Sequence, residues 1–470
     1  MIQKGEGRLE LGIVALQERI AVARLPEAAP DASNILVIVV DTLRADHLSS
    51  YGYQRATSPS IDQLAQEGVL FENAFSTSPW TEPSHASLLT GRYTHEHGAD
   101  AYKPLDDYYP TLGEALQARG YRTGAFSANY ETFNRSLGFG RGFQRFEDYF
   151  RSYANMAVHT VYGRTIEFYI LHAALGLKYR VDRKLASDVN EATLRWIDRE
   201  PQRPFFAFLN YYDVHSPYIP PEQYRSQFSQ SEEPGGLINT DWDMAHIYVP
   251  MTPEQLQGEV DAYDGAISYV DQQIDRLLSE IRGRGLAETT LVVITSDHGE
   301  SFGEHGLLEH NNSLYREVIH VPLIFWWPGH VPAAKDVERP VSNVALPATL
   351  LDLLGEEGQT LFPGPSLAQL WEEPDLERDW PDLLAEAAQI PWVPDQHLTA
   401  HGAIKSVITP QWQYIVHNEF GEELYDWQVD PEESVDLAKE QQSQSILEPF
   451  RVYLDNLLSG AKKTSPQGLE

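Results

Sequence analysis

Residues Asn34–Val40 read NILVIVV, a run in which Ile35–Val40 has no polar residue on either side of the alternation that a strand would impose. A strand half-exposed to water alternates apolar and polar positions. A run apolar on both faces belongs in the middle of a parallel sheet covered by helices. The run ends at Asp41, and in doubly wound sheets the carboxyl ends of such strands carry the chemistry. A second run, LVVITS, ends in the same way at Asp297-His298.

Between and around these runs, helical and strand patterns alternate for some 300 residues. Helices are expected over 58–67, from about 81 to 90, and over 111–119, 186–199 and 253–282. Strands are expected over 69–75, 122–127, 205–210, 290–296 and 322–327. This order predicts an α/β fold, a three-layer αβα sandwich with a mostly parallel central sheet. After residue 336 the texture changes. Segments 402–408 and 412–417 predict a hairpin, followed by a short strand at 423–426 and a helix near 445–458, a small C-terminal α+β subdomain. The expected division is 1–33 helix and linker, 34–335 catalytic, 336–459 C-terminal and 460–470 tail. Residues 7–25 read as an amphipathic helix rather than a leader, because Glu6, Glu10 and Glu18 interrupt any apolar core. Aromatic-rich stretches at 140–185 and 221–250 are expected to shape a substrate pocket.

The chain contains no cysteine, so no disulfide, thiolate metal site or cysteine nucleophile can form. Its formal net charge of −34, with no basic run, argues against a nucleic-acid partner. No stretch reaches the roughly 20 apolar residues of a membrane span. An anionic substrate would need positive charge supplied locally by metal, His, Arg or a helix N-terminus. Thr81 is placed for the last of these. Pro83 favours the first turn of a helix, which puts Thr81 at or just before the N-cap, where free N–H groups and the helix dipole attract an oxyanion. Thr is also a common structural cap, and spacing alone leaves the two readings even.

The string TEPSHASLLTGRY (81–93) resembles the sulfatase signature, with Pro83, Ser84, Leu88, Thr90, Gly91 and Arg92 in register. VVDTLRADHLSSYGY resembles the first metal-binding loop of that family and SDHGESFGEHG (296–306) the second. Residues 314–329 and 423–438 resemble further stretches, all in family order. The resemblance implies a hydrolase of phosphate or sulfate esters, with Asp41, Asp297, His298 and the Thr81 oxygen around one divalent metal ion. Two departures stand out. Thr81 occupies the place of the Cys or Ser that sulfatases convert to formylglycine, and His85 replaces the signature Arg that helps hold the nucleophile. Relatives with Thr at this position include phosphodiesterases and phosphoethanolamine or phosphoglycerol transferases, in which Thr attacks phosphorus directly. A phosphoester or phosphonate ester is therefore favoured.

An imidazole at 298, where sulfatases carry Asn, favours Zn²⁺ or Mn²⁺ over Ca²⁺ or Mg²⁺. Thr42 stands where sulfatases often have a second Asp. The resemblance further implies His215 as a contact to the ester oxygens and His310 as the acid for the leaving group. His85 and Asn129 are further substrate-contact candidates. Asp213, His215 and His310 form an alternative second metal site, as in dinuclear relatives. His95 and His97 read as structural. The substrate is a small molecule or a lipid or sugar ester. The alternatives are a phosphoryl transferase, a genuine sulfatase running without formylglycine, and a non-catalytic metal- or anion-binding homologue.

Overall fold

The computed structural model describes residues 25–29, 31–148, 184–229, 251–355, 361–372, 380–391, 393 and 395–460. The helix expected over 7–25, most of the two aromatic-rich stretches and the tail lie outside them.

The strands of the main sheet are β1 (Asn34–Val40), β2 (Val69–Phe71), β3 (Arg122–Ser127), β4 (Arg145–Glu147), β5 (Phe205–Tyr211), β6 (Thr290–Thr295), β7 (Leu323–Trp326) and β8 (Lys335–Val337). They form one eight-stranded sheet in the order β8-β2-β7-β6-β1-β5-β3-β4. β1 pairs in parallel with β5 on one side and β6 on the other, Ile38 lying opposite both Leu209 and Ile294. β7 runs antiparallel to β6 and to β2, and the other pairings are parallel. The sheet is thus mixed and mostly parallel.

The reason Ile35–Val40 is apolar throughout is visible in its packing. Ile35, Val37 and Val39 enter one core, Leu36, Ile38 and Val40 the other, all fully buried. Each such side chain contributes roughly 1.5–3 kcal/mol of transfer free energy. Helices α1 (Pro59–Glu67), α4 (Ala186–Ile197) and α5 (Pro253–Gly283) close one face through Ile61, Leu64, Val189, Trp196, Val270 and Ile274. Helices α2 (Thr81–Thr90), α3 (Leu112–Ala118) and α6 (Leu346–Leu353) close the other through Leu88, Leu89, Leu112, Leu116, Leu346 and Leu350. This is the expected three-layer sandwich.

The single strand expected over 69–75 is two. β2 stops at Phe71, a turn at Glu72–Asn73 follows, and Ala74–Phe75 joins a separate small sheet beside His320–Val321 and Val341–Ser342. The polar pair Glu72–Asn73 breaks the ladder, and the Asn73 amide bonds the carbonyl of Glu338. This break turns the chain so that α2 begins close to the ends of β1 and β6.

The C-terminal subdomain is an antiparallel sheet of β9 (Leu383–Ala387), β10 (Ile404–Ile408), β11 (Trp412–His417) and β12 (Gly421–Asp426). The expected hairpin is β10–β11, with Ser406 opposite Ile415. Leu384, Val407, Tyr414 and Leu424 pack against Leu447, Phe450 and Leu454 of α7 (Gln444–Gly460). The opposite face, with Leu383, Ile404 and Ile415, packs on Phe75, Leu314 and Ile319. Among the described residues no helix is long and apolar enough to cross a membrane.

Candidate active site

Asp41 follows β1, and the Ser296–His298 turn follows β6. Since β1 and β6 are adjacent and parallel, the two turns emerge side by side. They are tied together: the Thr42 amide donates to Asp297 Oδ1 (3.3 Å) and the Leu43 amide to Ser296 Oγ (3.0 Å). Thr42 is held at φ 60°, a left-handed conformation that few non-glycine residues adopt.

α2 supplies the third part. Its first helical residue is Thr81 itself, one position further in than the sequence suggested. Trp80 is the extended cap (φ −142°, ψ 142°), and its carbonyl accepts from the Ser84 amide at 3.2 Å. Thr81 therefore stands at the helix N-terminus, beside N–H groups that have no partner within the helix. Ser84, one of the residues in register with the signature, donates its hydroxyl to the Asp297 carbonyl at 2.5 Å, as does Ser76. These bonds clamp α2 onto the 297 turn.

The three segments converge. The donor atoms of Asp41, Asp297 and His298 lie within 4.8 Å of one another, all fully buried. His298 Nε2 is 3.3 Å from Thr81 Oγ1, 3.6 Å from Asp297 Oδ2 and 4.0 Å from Asp41 Oδ1. Its Nδ1 donates to the Gly299 carbonyl (3.0 Å), which leaves the lone pair of Nε2 facing the cluster. Asp41 Oδ2 accepts from Asn129 Nδ2 (2.9 Å) and Asn210 Nδ2 (3.4 Å). Asp41 Oδ1 and Asp297 Oδ2 are buried with no hydrogen-bond partner.

Two orphaned carboxylate oxygens beside an oriented imidazole form an unstable arrangement without a cation. In the metal-free protein, burial, reinforced by Asp297, pushes the Asp41 carboxyl up to about 8. Burial likewise pushes Asp297 up to about 7. A divalent ion would bind both orphans and remove that penalty. The mixed oxygen and nitrogen donor set fits one.

His85 does not reach into the open site. It is fully buried, its ring 4.4 Å from that of Phe133. Its Nδ1 donates to the Thr81 carbonyl (2.9 Å) and its Nε2 accepts from Asn210 (3.4 Å). Burial holds its pKa down at about 3, so it is neutral. It holds the backbone of Thr81. Asn129, read from the sequence as a substrate contact, turns its amide to Asp41.

His310 lies with its ring centroid 4.5 Å from that of His298, and its Nδ1 is 2.8 Å from Glu300 Oε1. Burial pushes Glu300 up to about 8 and His310 down to about 3. Glu300 is fully buried. His215 is next to this pair, its ring 4.9 Å from that of His310 and stacked on Tyr212 at 4.3 Å. Asp213 is not gathered with them. Its Oδ2 accepts from the Ala186 amide at the start of α4 (2.9 Å), and Asp213, His215 and His310 are not among the donor clusters within 4.8 Å. His95 bonds Glu386 (2.8 Å) and His97 bonds Ser87 (3.1 Å).

Sequence reasoning missed Asn210 and Glu300. Asn210 sits near the end of β5, beside β1, and a polar residue closing an otherwise apolar strand was the available signal. Glu300 lies inside the stretch 296–306 that resembles the second metal loop, two residues after His298, but was not singled out there.

The chain belongs to the sulfatase family of the alkaline phosphatase superfamily, a family of ester hydrolases: the family model "Sulfatase" matches residues 33–356. A second, "N-sulphoglucosamine sulphohydrolase, C-terminal", matches 303–459. An arylsulfatase of Clostridium perfringens is 24% identical over 93% of this chain and 96% of its own. Human iduronate 2-sulfatase is 29% identical over 71% of this chain and 66% of its own. In fold, the chain resembles the phosphonate monoester hydrolase of Agrobacterium radiobacter, with a TM-score of 0.73 and 22% identity over 92% of this chain and 97% of that one.

Proposed function

We propose that the protein hydrolyses a phosphate or sulfate ester, with a phosphoester or phosphonate ester favoured, through a covalent Thr81 intermediate. The observation that carries this reading is the 3.3 Å approach of Thr81 Oγ1 to His298 Nε2 at the edge of the orphaned carboxylates, in a chain without a cysteine. A divalent ion held by Asp41, Asp297, His298 and Thr81, with Zn²⁺ or Mn²⁺ favoured, would supply the Lewis acidity that lowers the pKa of the Thr81 hydroxyl.

The protein's own groups do the rest. The N-terminus of α2 would attract the substrate oxyanion, and His215, beside His310, would contact its non-bridging oxygens. His85 fixes the Thr81 carbonyl and hence the direction of its hydroxyl. Thr81 Oγ1, its proton released to solvent, attacks phosphorus in line as the bond to the leaving oxygen breaks. The leaving alkoxide takes a proton from His310 Nε2, while His310 Nδ1 receives one from Glu300. Both groups are suited to the relay, since Glu300 holds its proton near neutral pH and His310 is neutral. Water then attacks the Thr81 ester and restores the hydroxyl. A sulfate ester is the second reading, favoured by the names of the relatives.

The test is a panel of 4-nitrophenyl phosphate, its diester, the phenylphosphonate ester and the sulfate, assayed with Zn²⁺ and Mn²⁺. Phosphorus esters should turn over fastest, and Thr81→Ala should abolish turnover while still binding metal. Sulfate as the best substrate would remove the favoured substrate class. Full activity in Thr81→Ala would remove the nucleophile.

A further inference from the structure

We infer that His305, Glu317 and Glu433 form a second, non-catalytic site for a divalent transition-metal ion, which fastens the C-terminal subdomain to the catalytic core. The three residues come from separate segments. His305 lies in the short turn Glu304–Gly306, Glu317 in the helical turn Arg316–Ile319, and Glu433 in the loop after β12. Their donor atoms nevertheless lie within 4.8 Å of one another. Among the described residues this is the second such cluster; the first is the Asp41–Asp297–His298 centre.

A cluster of this kind can be a chance meeting of surface charges, but Glu433 is 1% exposed. One of its oxygens accepts from the Arg316 amide at 2.7 Å, and the other, Oε1, is buried with no partner. An orphaned carboxylate oxygen in a folded protein is costly and asks for a ligand. The surrounding charge agrees. Asp46, Glu304, Glu317 and Glu433 interact here with Arg44 and Arg316. Arg44 is already matched by Asp46 and Glu304, each at 2.7 Å. Glu423 and Asp430 add to the negative charge, so carboxylates outnumber the guanidinium groups and the cluster favours a cation. Two carboxylates and one imidazole suit Zn²⁺ or Mn²⁺. His305 is exposed and stacks on Tyr315 with centroids 3.7 Å apart, so the ion has an entry side and its one surface ligand is already oriented. Because Glu433 belongs to the C-terminal subdomain and the other two to the catalytic portion, the ion would close a link across the seam.

The competing possibility is that the Arg316 guanidinium, whose Nη1 also lacks a partner, satisfies Glu433 alone. Equilibrium dialysis of the metal-stripped protein against buffered Zn²⁺ or Mn²⁺, read by elemental mass spectrometry, decides between them. Wild type should hold two ions per chain and His305→Ala one, with unchanged turnover. Asp41→Ala/His298→Ala, which lacks the catalytic centre, should hold one ion, and none once His305→Ala is added. Equal ion counts with and without His305, or no ion in a folded Asp41→Ala/His298→Ala protein, overturn the inference. If that double variant does not fold, the comparison of wild type with His305→Ala decides alone: two against one supports the site, and equal counts overturn it.

Discussion

Replacing Asp41 by Asn should stabilise the metal-free protein at alkaline pH while removing its hold on the catalytic ion. In the metal-free fold Asp41 is pushed up to about 8 from 3.8, chiefly by burial and then by Asp297. The native state therefore keeps a proton that the unfolded chain releases. Stability is greatest below the unfolded value and falls as the pH climbs from about 4 through about 8. At ~1.36 kcal/mol for each tenfold change in proton affinity, the ceiling above pH 8 is about 6 kcal/mol. Relaxation of the turns and entry of water bring the working figure to about 2–3 kcal/mol. The substitution avoids this loss because the amide does not titrate. Its oxygen keeps the bond from Asn129, and its uncharged amide removes the repulsion between Asp41 and Asp297. Urea unfolding with chelator present should show Asp41→Asn more stable by about 2–3 kcal/mol at pH 8.5 and by under about 1 kcal/mol at pH 5. Saturating metal should reverse the order, since only wild type gains roughly 4 kcal/mol at a thousandfold excess over Kd. A metal-free variant no more stable than wild type at pH 8.5 refutes the account of the orphaned carboxylates.

Two further substitutions probe the groups behind the ligands. Asn129→Ala removes the 2.9 Å bond that orients Asp41, so metal affinity should fall roughly 10–100-fold; competition with a fluorescent chelator measures this, and an unchanged affinity refutes the role. Glu300→Gln keeps a hydrogen-bonding partner for His310 but cannot pass on a proton, so kcat should fall on the order of 100-fold for an alkyl leaving group and little for 4-nitrophenolate. Equal losses for both would mean that Glu300 only shapes the pocket.

What the sequence revealed and what it hid follow from range. Asp41 and Asp297-His298 were legible because each closes an apolar strand, and a sheet brings neighbouring strand ends together. Thr81 was legible through Pro83 and the signature, although the cap fell on Trp80. Asn210 and Glu300 were not legible, because their roles depend on partners 169 and 10 residues away in the chain. β9 was hidden for another reason. Its sequence, LLAEA, consists of good helix formers, and it is a strand because Leu383–Ala387 pairs antiparallel with Ile404–Ile408. Tertiary pairing overrode local preference there.

β1 is flanked on both sides by strands of the same direction, and its seven residues are buried. The turns at its end are thus anchored on a strand paired and buried on both sides, the kind of element that opens last. If the proposed ion sits there, stripping it should leave their scaffold standing, and activity should return on simple remixing with the cation, with no refolding step in between.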